Sequence, residues 1–211
     1  MILGKLIGEV VVTGGSRSGK TASSQIIKQW GADKGIRVLY VPEAASIVIL
    51  SGVMDIGTIA ENDPDLHFQV EAGMYAVQEG LREYVHTVGT HFPEDVLAVY
   101  DRGEIDIAAY MGKPALSAYI ADHLGSSYKR VRDSYDMVLH LESTAVALPD
   151  QYSNANNPAR YETLEQAIES DAKVYEAWSG HPNHKVFKCQ ETFAQKMNNV
   201  IEELERFINV H

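Results

Sequence analysis

A glycine-rich segment near the start of the chain has the residue types and spacing needed to hold a phosphate chain. Residues 14–21 fit G-x-x-x-x-G-K-T without a mismatch. Small residues let the backbone curl so that its N–H groups point at phosphate oxygens, and a following helix would add its positive end. Lys20 would reach the β- and γ-phosphates, and the Thr21 hydroxyl would ligate Mg²⁺. The predicted nucleotide-binding residues are Gly14, Gly15, Ser16, Arg17, Ser18, Gly19, Lys20 and Thr21.

An acidic residue followed by an arginine ends an apolar run later in the chain. Asp101 follows residues 96–100, which is the form of a Walker B element. Its carboxylate would hold Mg²⁺ through water or act on a substrate hydroxyl, and Arg102 would bind phosphate or substrate. An ordinary ion pair in a solvent-facing turn is the alternative interpretation. Asp106, five residues further on, is a weaker candidate for the same role as Asp101.

Two further residues are candidates for phosphoryl transfer. Glu43 follows the apolar run 37–41, where a carboxylate can face the γ-phosphate from the acceptor side and act as general base. A first-turn helix residue favoured by the helix dipole is the other interpretation, and the two can hold together. Arg160 lies in the long connection 143–161, which is rich in turn-forming residues and is predicted to be a lid. An arginine there could offset phosphoryl charge, or it could simply be a solvated loop residue.

Alternating apolar runs and helical patterns supply the elements that must position these residues. The predicted strands are 7–13, 37–41, 96–100, 137–141 and 185–189. The predicted helices are 19–31, 64–88, 113–131 with an interruption, 163–178 and 191–208. Strands separated by helices indicate a three-layer α/β fold with a mostly parallel sheet of five strands. Ligands bind beyond the carboxyl ends of such strands, where the glycine-rich loop, Glu43 and Asp101 fall.

The length, net charge and cysteine content of the chain limit the classes of protein to which it can belong. The 211 residues suit one domain spanning 1–211, and the formal net charge of −11 argues against nucleic acid as a large-surface partner. Cys189 is the one cysteine, so no intramolecular disulfide can form. The start of the chain lacks a signal-peptide pattern, and no run is long enough to span a bilayer. We therefore expect a cytoplasmic protein that binds a nucleoside triphosphate and a small acceptor, with a homodimer left open.

The order of these motifs resembles a known family. The sequence is similar to the small P-loop ATPase/kinase domains grouped as AAA-type domain 28, which include ribosylnicotinamide-kinase-like domains. The similar segments are G-G-S-R-S-G-K-T, V-P-E-A-A, Y-D-R-G-E-I-D, Y-D-M-V-L-H-L-E and N-P-A-R-Y-E. The resemblance implies a nucleoside-kinase-like strand order of 2-3-1-4-5. It also implies catalytic roles for Lys20, Glu43, Asp101, Arg102 and Arg160. Gly103, where nucleoside kinases carry serine, and Cys189-Gln190 depart from the family pattern.

The leading hypothesis is a kinase that transfers the γ-phosphate of ATP or GTP to a small hydroxyl acceptor such as a nucleoside or nucleotide. It predicts an acceptor pocket near Glu43, Asp101 and Arg102, roofed by helix 64–88. One alternative is a nucleotide-dependent switch that hydrolyses slowly and acts through a partner. Another is an ATPase acting on a macromolecule, for which a basic patch would be needed at Lys129, Arg130 and Arg132. His181 and His184 are more typical of a turn than of a metal site.

Overall fold

Five parallel strands form one sheet at the centre of the fold. The computed structural model describes residues 3–53, 56–151, 163–190 and 192–209. The strands are β1 (Leu6–Thr13), β2 (Arg37–Val41), β3 (Val96–Asp101), β4 (Met137–Leu141) and β5 (His184–Phe187). Their spatial order is β2-β3-β1-β4-β5, and every neighbouring pair is parallel. The predicted α/β class and the strand order 2-3-1-4-5 are confirmed.

Helices cover both faces of the sheet. They are α1 (Lys20–Asp33), α2 (Ala44–Leu50), α3 (Ile56–Asn62), α4 (Pro64–Val88), α5 (Ala108–Met111), α6 (Lys113–Leu124), α7 (Tyr128–Arg132), α8 (Thr144–Ala147), α9 (Leu164–Trp178) and α10 (Phe193–Ile208). Short 3-10 helices span Glu104–Ile107 and Pro149–Gln151. Within the described ranges, no helix is long and apolar enough to cross a membrane.

The central strand β1 separates two apolar cores. Val11 packs on one face with residues of α4, α5 and α9, while Val10 and Val12 pack on the other face with residues of α1 and α10. All three valines are fully buried because side chains of a strand alternate between its faces and both faces are covered here. The register pairs Val12 with Asp101, so the carboxyl ends of β1 and β3 meet at one edge of the sheet.

Several helices begin at residue types that typically cap the start of a helix. The Asp63 side chain accepts a hydrogen bond from the Leu66 N–H at the start of α4, just before Pro64. The helices α9 and α10 each begin with a capping box, Thr163 with Gln166 and Thr192 with Gln195. Each of these side chains accepts a hydrogen bond from a backbone N–H group that has no partner within the helix, which fixes the start of the helix.

The helical segment 113–131 is interrupted, as its pattern predicts, because Gly125 adopts a left-handed conformation with φ 56° that ends α6. The structure departs from the sequence prediction at three other places. The last strand spans His184–Phe187 rather than 185–189. The connection 143–161 begins with the short helix α8 and a 3-10 turn, and its residues 152–161 lie outside the described part. The helices α2 and α3 occupy a connection in which no helix was predicted.

The buried face of α4 combines the apolar stripe that the sequence spacing predicts with two polar side chains. The stripe consists of Leu66, Val70, Met74, Val77, Leu81 and Val85. It packs against the core except at Leu66, which is 47% exposed. Glu71 and Gln78 are also buried, and they lie on one side of the helix because they are about two helical turns apart. Both side chains line the cavity described below.

A buried ion pair docks α4 against the sheet. Arg82 donates to both carboxylate oxygens of Glu9, at 3.1 and 2.9 Å, and its guanidinium lies 3.9 Å from the Tyr135 ring centroid. Tyr100 donates to the same carboxylate at 2.6 Å. Although burial works in the opposite direction, Arg82 holds the pKa of Glu9 below its ordinary value. Glu104 lies 3.9 Å from the guanidinium and shares its charge.

We expect Arg82→Met to destabilise the protein by about 3–5 kcal/mol, because it leaves the carboxylate of Glu9 buried without its cation. Chemical denaturation measures the change. The loss should shrink at low pH, because protonated Glu9 no longer needs a cation. Arg206→Met is the matched control: that side chain is 68% exposed, against 12% for Arg82. Its expected effect is within about 0.5 kcal/mol. Equal effects of the two substitutions would contradict the proposed docking role.

Candidate active site

The segment 14–21 forms a tight loop between β1 and α1, and two of its glycines are required by its shape. Gly14 and Gly19 have φ values of 133° and 97°, which side chains of other residues rarely allow. A Cβ on Gly14 would lie 2.0 Å from the Leu141 carbonyl oxygen, and one on Gly19 would meet the Phe193 ring at 2.5 Å. Arg17 also takes a left-handed conformation, with φ 58°. The backbone therefore curls as the sequence motif predicts.

Lys20 is the first residue of α1, and its ammonium group folds back over the loop. Its Nζ donates to the carbonyl oxygens of Gly14 and Gly15 at 2.8 and 2.9 Å. Burial and the nearby Arg102 lower the pKa of Lys20 to about 8, against the opposing charges of Glu43 and Asp101. A polyphosphate would supply the negative charge that favours the ionised amine.

Two buried charged residues that the sequence analysis did not identify support the loop from behind. Asp171 of α9 accepts hydrogen bonds from the N–H groups of Gly15, at 2.6 Å, and Ser143, at 3.2 Å. Lys196 of α10 donates to the carbonyl oxygens of Ser18, at 3.1 Å, and Glu142, at 2.8 Å. The sequence offered one signal for Lys196, a lysine at a core-facing position of a strongly amphipathic helix. These contacts bind the loop to both C-terminal helices.

Asp101 ends β3 beside the end of β1, as the Walker B interpretation predicts. Its Oδ1 atom is buried and has no hydrogen-bond partner among the described residues. Burial raises the pKa of Asp101, with Lys20 opposing the shift and Glu43 adding to it. A divalent cation would offset the cost of burying the ionised carboxylate of Asp101 and the repulsion from Glu43. Mg²⁺ prefers oxygen ligands of this kind. Asp101 therefore fits a magnesium site, whereas the predicted part of the Thr21 hydroxyl in that site stays a prediction.

Arg102 forms ion pairs with two other candidate residues, Glu43 and Asp106. Its guanidinium donates to Glu43 Oε1 at 2.6 Å and to Asp106 Oδ1 at 3.1 Å. Its backbone is left-handed, with φ 67°, and its carbonyl oxygen accepts from Gln78 at 3.2 Å. Glu43 thus lies at the start of α2 and is also bound by Arg102, and Arg102 does not lie in a solvent-facing turn.

Asp106 is a buried hydrogen-bond acceptor for four donors. Its Oδ1 accepts from the Thr13 hydroxyl as well as from Arg102. Its Oδ2 accepts from the Gly103 N–H at 2.9 Å and from the Trp178 indole at 3.0 Å. Both oxygens are therefore engaged by the protein, which favours Asp101 over Asp106 as the magnesium ligand.

A cavity of about 300 Å³ opens beside this arginine. Its lining is mostly apolar and comes from α2, α3, α4 and α5, with Glu43, Arg102 and Asp106 at one side. The sequence predicted a pocket near Glu43, Asp101 and Arg102 under helix 64–88. The cavity has that position, except that Asp106 lines it in place of Asp101. Glu71 and Gln78 also line it, and the sequence analysis identified neither.

The remaining candidates do not join this site. Arg160 lies outside the described residues, so its predicted role stays a prediction. His181 donates a hydrogen bond from Nε2 to the Tyr135 carbonyl oxygen at 2.9 Å, as a structural turn residue would. Across the described ranges, no group of three or more His, Cys, Asp or Glu side chains is arranged to hold a metal ion by itself.

We expect Asp106→Asn to destabilise the protein by about 2–4 kcal/mol, because an amide has one acceptor atom for four donors. Thermal unfolding and denaturant titration measure the loss. Asp122→Asn, on the exposed side of α6, is the control and should change stability by less than about 0.5 kcal/mol. A fully stable Asp106→Asn protein would show that the four-donor arrangement is not a structural requirement.

Comparison with known proteins agrees with this geometry. A structure of a deoxyadenosine kinase from M. mycoides, with products dCMP and a flexible dCDP bound, superposes with a TM-score of 0.62 at 11% identity. The superposition covers 94% of this chain and 99% of that one. A second structure of that kinase, with dATP bound, has a TM-score of 0.61 at 10% identity and covers 93% and 99%. These similarities establish the fold of a P-loop nucleoside kinase.

Sequence comparison identifies the family. No curated protein matches the chain significantly by sequence. A family model described as an AAA domain, AAA-type domain 28, matches residues 9–196. That match spans most of the chain and includes the glycine-rich loop, Glu43 and the Asp101-Arg102 pair. With its fold and its loop, the chain belongs to the AAA-type domain 28 family of P-loop proteins.

Proposed function

We propose that this protein is a kinase that transfers the γ-phosphate of ATP or GTP to a hydroxyl group of a small, nucleoside-like acceptor. The observation that carries the proposal is the mostly apolar cavity that Glu43 and Arg102 line. Both residues also exert charge effects on Lys20 of the phosphate-binding loop. A site that only hydrolyses nucleotide needs no such cavity, whereas a transferase must hold an acceptor there.

The roles of the chain's residues follow from their positions. Loop N–H groups and Lys20 would hold the phosphates, and Glu43 would accept the proton of the attacking hydroxyl. Arg102, fixed between Glu43 and Asp106, would orient the base and offset charge on the transferred group. Mg²⁺ held by Thr21 and Asp101 would neutralise phosphate charge. Residues 1–211 would form one domain, with the connection at about 143–161 acting as lid and Arg160 as its phosphate contact.

The deoxyadenosine kinase of similar fold, whose two structures hold deoxynucleotides, makes nucleosides the first acceptors to test. The cavity volume of about 300 Å³ is at the lower end of the usual range for small-molecule sites, which suits an acceptor of nucleoside size.

The alternatives have less support. A slow switch acting through a partner would not need the cavity, although it would use the same loop. An ATPase acting on a macromolecule would need the basic cluster on α7 to be available. There, Lys129 and Arg132 are both paired with Asp133, at 2.5 and 2.7 Å, which reduces the charge available to a phosphate backbone.

We expect Glu43→Gln to lower the turnover number of phosphate transfer by about 10²–10⁴-fold while nucleotide affinity stays near that of the wild type. The amide keeps the shape of the side chain but cannot accept the proton. Transfer of labelled γ-phosphate to a panel of nucleosides, together with equilibrium binding of the nucleotide, measures the two effects. Full activity of the variant would exclude Glu43 as the base.

Lys20→Met tests the phosphate-binding part of the site. We expect it to weaken nucleotide binding and to abolish labelled product, because the variant has no cation for the β- and γ-phosphates. Glu165→Gln and Lys28→Met are the matched controls, since both side chains are exposed and distant from the cavity lining. Tight nucleotide binding by the wild type without any labelled product would favour the regulatory switch.

A further inference from the structure

One acidic side chain in the cavity has no part in the mechanism proposed above. Glu71 belongs to α4, is 1% exposed and lines the cavity. Its Oε2 atom has no hydrogen-bond partner among the described residues. Its Oε1 atom lies 3.3 Å from Nε2 of His67, one turn earlier on the same helix. The carboxyl group is therefore half-satisfied within the fold.

The surroundings of Glu71 do not supply the missing donor. The titratable or charged groups that line the cavity with it are Glu43, His67, Arg102, Asp106 and Tyr110. Arg102 favours the ionised form of Glu71 through its charge, but its guanidinium donates to Glu43 and Asp106. The neighbouring lining residues Ile56, Ala60 and Met74 have apolar side chains.

An unpaired acceptor in such a place requires an explanation. A buried polar group without a partner is costly, so nearly all such groups in folded proteins are satisfied. A purely structural carboxyl would be packed among fixed donors, as Asp106 is. Glu71 instead borders open volume of the size of a small ligand. The partner of its second oxygen would therefore come from the occupant of the cavity.

We propose that Glu71 is a specificity-determining residue, and that its carboxylate accepts a hydrogen bond from an amino group attached to the ring of the acceptor. The proposal rests on the proposed function, because it assumes that the cavity holds the acceptor. His67 would donate to Oε1 and the acceptor to Oε2, which would satisfy both oxygens. Acceptors with a carbonyl oxygen at that position would be rejected, because two acceptor atoms would face each other in an apolar site.

Matched nucleoside pairs test this preference. Cytidine and uridine differ by an amino group in place of a carbonyl oxygen on the ring, and so do adenosine and inosine. Both ribo- and deoxyribonucleosides serve as probes. We expect the protein to bind the amino member of at least one pair about tenfold or more tightly than the carbonyl member. Glu71→Gln should remove or reverse that preference, because its amide N–H₂ can pair with a carbonyl oxygen.

Binding of the amino member should also depend on pH. Burial raises the pKa of Glu71 to about 8, with Arg102 opposing the shift. A donor from the acceptor binds the ionised form, so binding below about pH 8 must release a proton. Affinity should therefore rise as pH increases from about 6 to about 8, by up to about tenfold per pH unit. Glu71→Gln should flatten this dependence. A protonated Glu71 donating to the acceptor would give the opposite slope and would overturn the proposal.

The experiment combines equilibrium binding of the four nucleosides with phosphate transfer, for wild type, Glu71→Gln and the control Glu79→Gln. Glu79 lies on the exposed side of the same helix and does not line this cavity. A role in acceptor binding predicts that Glu71→Gln changes the dissociation constant and KM much more than kcat. Thermal unfolding verifies that the variant is folded.

The outcomes separate the two proposals. Amino-selective, pH-dependent binding without transfer would support Glu71 as the recognition residue and contradict the kinase. Transfer with no preference within either pair, or with a preference that Glu71→Gln leaves unchanged, would overturn the role of Glu71 and keep the kinase. Failure of the wild type to bind any of the four nucleosides would also overturn it, because the proposed ring donor would then have no place in the cavity.

Discussion

The arrangement of the site depends on a single buried carboxylate, Asp106, which joins three parts of the fold. It accepts hydrogen bonds from Thr13 at the end of β1, from the backbone and side chain that follow β3, and from Trp178 at the end of α9. A buried carboxylate is costly when it lacks hydrogen-bond partners, and its hydrogen bonds are strongly directional when the partners are present. Its four donors therefore fix the strand ends, the arginine at the cavity and the helix behind the phosphate loop relative to one another.

Side chains of opposite charge alternate from Asp106 through Arg102 to Glu43, which lines the cavity. Asp106 holds Arg102, and Arg102 holds Glu43, so the proposed base is oriented by a cation that is itself anchored. Asp101 directly precedes Arg102 in the sequence, but one of its carboxylate oxygens is buried and has no hydrogen-bond partner among the described residues. The two neighbouring aspartates thus have different environments, one saturated by protein donors and one open to a cation. This difference, rather than residue type, distinguishes a structural carboxylate from a ligand.

The phosphate loop is supported on its far side by long-range contacts. Asp171 binds its second residue and Lys196 its fifth, from helices that follow the loop by more than 150 residues. Because both contacts go to backbone atoms, they constrain the shape of the loop and not its side chains. The C-terminal helices therefore contribute to nucleotide binding without contacting the nucleotide in the proposed arrangement. Gln78 of α4 likewise contacts the backbone, because its amide donates to the carbonyl oxygen of Arg102 beside the cavity.

The sequence by itself determined the class of fold, the strand order through its resemblance, and the glycine-rich loop. These depend on local signals: apolar runs, capping residues, and glycines where φ must be positive. Only the tertiary structure decided that Asp106 is saturated and Asp101 is not, that Arg102 pairs with Glu43, and that Glu71 borders the cavity. The partners of Asp171 and Lys196 could not be predicted because they are distant in sequence, although the place of Lys196 on an amphipathic helix was a signal that it is buried. The apolar stripe of α4 packs against the core except at Leu66. An apolar pattern carries no signal for buried polar side chains, so Glu71 and Gln78 were found only in the tertiary structure.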